Sequence, residues 1–331
     1  MAQEVVSSNV FWASNGAVRL SADEVRVYSG GGGGKGHRRK NDSSTDDDDD
    51  VVHQPPRRLR VATWNLLAPP YATNNDLEKH EWRSRLASQQ RQLEDVLPDV
   101  AALQEFWTAS DEAVALWRRW AEDRDYALVV LPRTRGKADG CATLVRNDLL
   151  FRQSDGDDDA DADAVESGCE PYGLGYDDWG DRVCLCVPVV GLLVCNTHFT
   201  FAHDNAWDPV MRRHQARKLA EHLAGRRCLL LGDLNGEKHD PALRILQDHG
   251  FALHEPRADD DDIPDWKSHY AHTHEFLACD FVATKGIPPA VVNDVTLHGD
   301  HGDLVPKKPP RFRVSDHLML SATLDLRTQT T

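Results

Sequence analysis

Hydrophobic and polar positions alternate along the chain with two periods, and the two kinds of segment take turns. Leu59, Val61 and Thr63 alternate with Arg60, Ala62 and Trp64, which predicts a strand ending at Asn65. Trp82, Leu86, Leu93 and Leu97 recur at helical spacing, and Pro98 ends that helix. Val100–Leu103 reads as a short buried strand that delivers Gln104 and Glu105. A second helix starts with Ser110 as N-cap and buries Val114, Trp117, Trp120 and Ala121. Further strands are predicted at Leu128–Leu131, Cys141–Val145, Arg182–Val187, Leu192–Thr197, Cys228–Leu231, Cys279–Ala283 and Leu318–Leu324. Asp208-Pro209 and Asp240-Pro241 each set an N-cap acid before a first-turn proline, and these helices end near Gly225 and Gly250.

The alternation occupies about residues 58–327, read as one α/β domain. Ahead of it, Val10–Trp12 and Ala17–Leu20 flank Asn15-Gly16, which predicts a hairpin over 9–28. The glycine, lysine and aspartate runs of 29–57 bury too little apolar surface to offset ordering and read as a disordered linker. Of 331 residues 40% are apolar, and the formal charge is −16. Asp46–Asp50, Asp155–Glu166 and Asp259–Asp262 hold all of that excess, so the rest of the chain is neutral. Gross charge therefore does not mark a polyanion binder, although a local basic cleft stays compatible with it. The helix after Asp208 carries Arg212, Arg213, Arg217 and Lys218, read as a solvated face in preference to a nucleic-acid track.

No apolar run reaches the roughly 20 residues that cross a bilayer. The longest candidate, Cys184–Cys195, is broken by Pro188 and Gly191. Seven cysteines without a CxxC pattern read as buried thiols of a reducing compartment, so an intracellular (cytoplasmic or nuclear) monomer is expected.

The chemistry sits at strand ends. Apolar strands lead at once into Thr63-Trp64-Asn65, Leu103-Gln104-Glu105, Asn196-Thr197-His198, Gly232-Asp233-Leu234-Asn235, Cys279-Asp280-Phe281 and Ser315-Asp316-His317. One such cluster is ordinary turn chemistry. Six in series predict one cleft holding Glu105, Asp233, Asp280 and Asp316 beside Asn65, Asn235, His198 and His317. Four carboxylates in one pocket repel unless a cation lies among them, and oxygen donors suit Mg²⁺, with Mn²⁺ as substitute.

This series resembles the endonuclease/exonuclease/phosphatase superfamily. The resemblance implies a four-layer α/β/β/α sandwich of two mixed sheets and a metal-dependent phosphoester hydrolase. It implies that Glu105 is the principal metal ligand, with Asn65, Asp233 and Asp316 at the metal site. It further implies that Asp233 orients water, Asn235 supports metal and phosphate, and His198 donates to phosphoryl oxygens. Asp280 and His317 resemble the family's paired carboxylate and imidazole. Asn65-Leu66-Leu67-Ala68-Pro69-Pro70-Tyr71 and Ala138-Asp139-Gly140-Cys141-Ala142-Thr143 are similar to segments of the deadenylase, nocturnin and angel branch. RNA or a nucleotide phosphoester is the implied substrate. Alternatives are a phosphatase or sphingomyelinase-like lipid phosphodiesterase on the same fold, and an inactive binding module. No leucine-rich docking repeat is present in the sequence, nor is the Thr-Asn segment those deadenylases carry before the residue matching Asp280.

Three features stand outside this reading. Arg182 reads equally as a phosphate contact or a surface strand charge. The EF-hand-like spacing of Asp155–Glu166 has Ala160 where the loop needs Gly, and reads as an insertion. His269, His272 and His274, with His298 or His301, have irregular spacing for zinc.

Overall fold

The computed structural model describes residues 18–20, 24–29, 58–72, 81–150, 170–178, 180–189, 191–201, 203, 206–256, 266–299, 301–304 and 314–326. In chain order come β1 (Val18–Arg19), β2 (Arg26–Tyr28), β3 (Arg58–Asn65), α1 (Trp82–Val96), β4 (Val100–Phe106), α2 (Asp111–Asp123), β5 (Tyr126–Pro132) and β6 (Gly140–Arg146). Then follow β7 (Tyr172–Gly175), β8 (Val183–Val189), β9 (Leu192–His198), α3 (Asp208–His222), β10 (Cys228–Asp233), α4 (Pro241–Asp248) and β11 (Phe251–His254). The chain ends with β12 (His269–Tyr270), β13 (Phe276–Leu277), β14 (Asp280–Lys285), β15 (Val292–His298), α5 (His301–Leu304) and β16 (Met319–Asp325).

Two seven-stranded mixed sheets result. One runs β15-β16-β3-β4-β6-β5-β2 and the other β1-β7-β8-β9-β10-β14-β11. Strand alternation explains how they stack. Leu59 and Val61 point from β3 into the space between the sheets, where they meet Val183, Leu185 and Val187 of β8 within one apolar core. The opposite face of β3, Ala62 and Trp64, packs under α1 and α2 with Leu86, Leu93 and Trp117. On the second sheet Cys184, Cys195 and Leu230 pack under α3 and α4 with Leu219 and Leu243. The order is helices, sheet, sheet, helices: the four-layer sandwich expected.

The topology sets the strand ends side by side. The parallel pair β3 and β4 aligns Asn65 with Gln104, and the parallel pair β9 and β10 aligns Asp233 with His198. β14 runs antiparallel to β10 and brings Asp280 opposite Asp233. Below this edge the sheets are joined by a buried polar clasp. Gln104 Nε2 donates to Asn196 Oδ1 at 2.8 Å, and Asn196 Nδ2 donates to the Ala142 carbonyl at 2.8 Å. Such a clasp, buried and satisfied, fixes the register of one sheet against the other.

Some local expectations change. Leu97 is left-handed (φ 47°) and 59% exposed, because a helix cannot continue into Pro98 and the chain leaves through this residue. Ser110 and Asp240 cap their helices as expected, accepting from Ala113 N–H and Ala242 N–H. Asp208 lies inside the first turn of α3 and accepts from His203 N–H, so it ties down the preceding loop instead. Arg212 is buried and paired with Asp240 at 3.0 Å, which removes it from the solvated face of α3. Of the hairpin expected over 9–28, residues 9–17 and 21–23 lie outside the described set. The turn and first strand of that hairpin are among those residues; of what is described, β1 extends one sheet through β7 and β2 the other through β5. Residues 30–57 of the expected linker, and the acidic insertions expected near 153–168 and 257–265, also lie outside the described residues.

Candidate active site

At the shared sheet edge the chain leaves regular geometry wherever a polar side chain is needed. A bulge in β4 between Leu103 and Phe106 puts Glu105 at φ 47°, and this turns its carboxylate out of the strand alternation into the cleft. Asn235 is left-handed too (φ 50°), a conformation asparagine tolerates. Gly232 is required by close approach, since a Cβ there would lie 2.2 Å from the Thr197 carbonyl oxygen.

The result is a cleft of about 520 Å³ lined by, among others, Asn65, Glu105, His198, Asp233, Asn235, Asp316 and His317. Asp280 lies directly behind it, fully buried. All eight residues singled out in the sequence therefore converge. Asn65 Nδ2 donates to Asp233 Oδ2 at 3.0 Å and to Glu105 Oε1 at 3.2 Å. Asn65 Oδ1 accepts from Leu67 N–H at 2.9 Å, which fixes the orientation of the amide. Its oxygen is thus turned away from the carboxylates, and Asn65 fits the role of a bridge between them better than that of a metal ligand.

Asp233 is enclosed by donors. Its Oδ1 accepts from Asn235 N–H at 3.0 Å, and its Oδ2 faces His198 Nε2 at 3.4 Å and His317 Nε2 at 3.6 Å. Burial, opposed by the charge of His317, raises its carboxyl above the ordinary range. Asn235 Nδ2 donates to the Phe199 carbonyl at 2.8 Å, which locks the turn after β10.

The two imidazoles differ. His317 Nδ1 lies 2.8 Å from Asp280 Oδ2, and Ser268 Oγ donates to the same oxygen at 2.7 Å. Burial disfavours the imidazolium of His317, but the charges of Asp280 and Asp233 outweigh it and push its pKa up to about 10. His198 is held well below its ordinary value by burial and by the positive charges of Arg182 and Arg133, so it is neutral. Arg182 Nη1 is 2.9 Å from His198 Nδ1.

Glu105 is pushed up to about 7, first by burial and then by the charges of Asp316 and Asp139. A carboxylate raised in this way by neighbouring acids is relieved by a cation. Glu105 and Asp316 offer oxygen donors of the hard kind that divalent Mg²⁺ or Mn²⁺ takes. Asp233, committed to Asn65 and Asn235, is less available for that task.

Other residues around the cleft had no clear signal in the sequence. Ser268 carries no motif, and His269 entered the sequence reading only through the irregular zinc spacing. His269 stacks flat on His317 (centroids 4.0 Å, planes 10° apart), with Nε2 3.8 Å from Asp316 Oδ2. His272 and His274 line the mouth beside Phe201 and Tyr270. His298 is elsewhere, bonded to Ser321 Oγ, so the zinc grouping weighed for these histidines does not assemble with it. Arg133 is spent on Asp139 Oδ1 and the Gly180 carbonyl, a long-range pairing that no spacing discloses. Tyr71 donates to the same Asp139 oxygen at 2.7 Å. Trp117 and Trp120 are core residues, as their spacing predicted. No described helix is long and apolar enough to cross a membrane.

Solved structures share the fold. A truncated TDP2 of Caenorhabditis elegans matches at 18% identity and TM-score 0.55, over 81% of this chain and 97% of that one. ANGEL2, described as a 2',3'-cyclic phosphatase, matches at 14% identity and TM-score 0.56, over 80% of this chain and 94% of its own. The human nocturnin catalytic domain with bound sulfate matches at 17% and 0.51, over 82% and 98%. No curated protein sequence matches. A family model described as "Endonuclease/Exonuclease/phosphatase family" matches residues 62–317. The chain belongs to that family of phosphoester hydrolases.

Proposed function

We propose that this protein is a divalent-metal-dependent phosphodiesterase, Mg²⁺ being the ion and RNA or a nucleotide phosphoester the substrate. The observation that carries the reading is the placement of His198 and His317 on either side of Asp233 Oδ2, at 3.4 and 3.6 Å. A carboxylate so placed orients a water molecule, and the two N–H donors beside it meet the charge that grows on phosphoryl oxygens during attack. Asp280 holds the His317 imidazolium in place, and Asn65 fixes the distance between Asp233 and Glu105. Glu105 and Asp316 would hold the cation, which when bound withdraws charge from phosphoryl and leaving oxygens. Phe201, Tyr270 and His272 give the cleft mouth flat rings on which a base can stack, which favours a nucleotide over an inositol phosphate or a lipid.

The test is a Mg²⁺-supplemented screen of single-stranded RNA with and without a poly(A) tail, a 2',3'-cyclic phosphate end, abasic DNA, a dinucleotide phosphate, an inositol phosphate and sphingomyelin. Hydrolysis of a nucleotide phosphoester that drops about 10³- to 10⁴-fold in Asp233→Asn is expected. Hydrolysis confined to sphingomyelin would replace the substrate assignment, and unchanged turnover in Asp233→Asn would remove the site assignment.

A further inference from the structure

Two arginines stand beside His198, and they are used differently. Arg133 gives its nitrogens to Asp139 Oδ1 at 2.9 Å, to the Gly180 carbonyl at 2.6 Å and to the Asp181 carbonyl at 3.4 Å. Arg182 lines the cleft, and among the described residues the hydrogen bond of its guanidinium is the one to His198 Nδ1, at 2.9 Å. A guanidinium has donors and no acceptor, so the nitrogen it meets at that distance carries a lone pair. A neutral imidazole has one N–H, and it must then lie on Nε2. That N–H points toward Asp233 Oδ2, 3.4 Å away, on the side where the proposed phosphoryl group is attacked. The reverse tautomer would set two N–H groups head to head. The fold also holds this geometry firmly: Arg182 immediately precedes β8, which pairs antiparallel with β9, and His198 is the last residue of β9.

We propose that Arg182 is a positioning residue that locks His198 as a neutral Nε2–H donor, so that it offers a hydrogen to the substrate and never serves as a base. The kinetic consequence rests on the phosphodiesterase reading, whereas the tautomer stands on geometry alone and is measured without substrate.

The experiment uses the full chain labelled with ¹⁵N-histidine, His198 being assigned by its loss in His198→Asn. Long-range ¹H–¹⁵N correlation then shows which ring nitrogen carries hydrogen. In the native chain Nδ1 is of the lone-pair type and Nε2 carries the hydrogen. Arg182→Met removes the donor and abolishes that pattern. Arg182→Gln, whose carboxamide N–H can still donate to Nδ1, retains it. Against a cleaved substrate, Arg182→Met lowers kcat about 100-fold with KM changed by about threefold or less, and Arg182→Gln recovers much of the loss. Unchanged His198 nitrogens in a folded Arg182→Met would overturn the proposal. So would equal loss of activity in both variants while the tautomer persists, since charge alone would then be the cause. If no phosphoester is cleaved at all, the spectra still decide the tautomer and only the assigned reaction falls.

Discussion

Asp233 has two imidazoles beside it at nearly equal distance, and the two differ in charge state. On the β9 flank His198 meets a guanidinium at Nδ1 and is neutral. On the β14–β16 flank His317 meets the Asp280 carboxylate at Nδ1 and stays protonated up to about pH 10. Both rings are buried, so burial alone would neutralise both. The group behind the ring, an arginine in one case and an aspartate in the other, decides what the ring can do in front. A cleft thus acquires one permanent cation and one neutral donor from a single residue type.

The largest break in this contrast is Asp280→Asn. Without that carboxylate the burial of His317 is opposed only by Asp233 and Asp316, and its pKa falls below about 10. Activity is expected to drop about 10³-fold, read from initial rates, with the imidazole titration followed by NMR. The sign for stability also follows. The pKa of His317 is raised above its ordinary 6.5, so its contribution is complete below about 6.5 and is lost as pH rises through about 10. Chemical denaturation at pH 6 and pH 10 should therefore show a fall in the native chain that Asp280→Asn lacks.

Gly232→Ala perturbs the His198 flank alone. The added Cβ would meet the Thr197 carbonyl, one residue before His198, and push β9 from β10. A loss of about 1–3 kcal/mol in denaturant unfolding is expected, with Asp280 and His317 still paired. Glu105 gives a test between the flanks. Its carboxyl titrates near 7, so protons compete with the cation in that range. Divalent-ion affinity measured by calorimetry should weaken by about tenfold per pH unit below 7 and level off above it, a dependence Glu105→Gln should abolish. The smallest effect belongs to Ser268→Ala, which takes one donor from Asp280 Oδ2 and leaves the carboxylate to His317. About 1 kcal/mol of stability and a few-fold change in rate are expected, with no change at His198.

Much of this was legible in the sequence because it is local. Alternation along Leu59–Trp64 and Val100–Leu103 follows from which face of a strand meets the core, and Ser110 and Asp240 cap by chemistry within three residues. Glu105, Asp233 and their companions stood out because six polar clusters in series, each directly after an apolar strand, are more than turn chemistry supplies. What the sequence left undecided is pairing across distance. It offered Arg182 as either a surface charge or a phosphate contact, and it carried the helical spacing on to Leu97, which the structure leaves exposed at the helix end. The separation of β1 and β2 into different sheets, the bulge that turns Glu105, and the arginine and aspartate behind the two imidazoles needed the assembled sandwich. Partners 16 and 37 residues apart are joined in different ways, Arg182 with His198 by the register of β8 on β9 and Asp280 with His317 by the packing of one sheet on the other, and charge state depends on which partner arrives. Residue type thus set the menu of chemistry here, and packing chose the protonation state of each group.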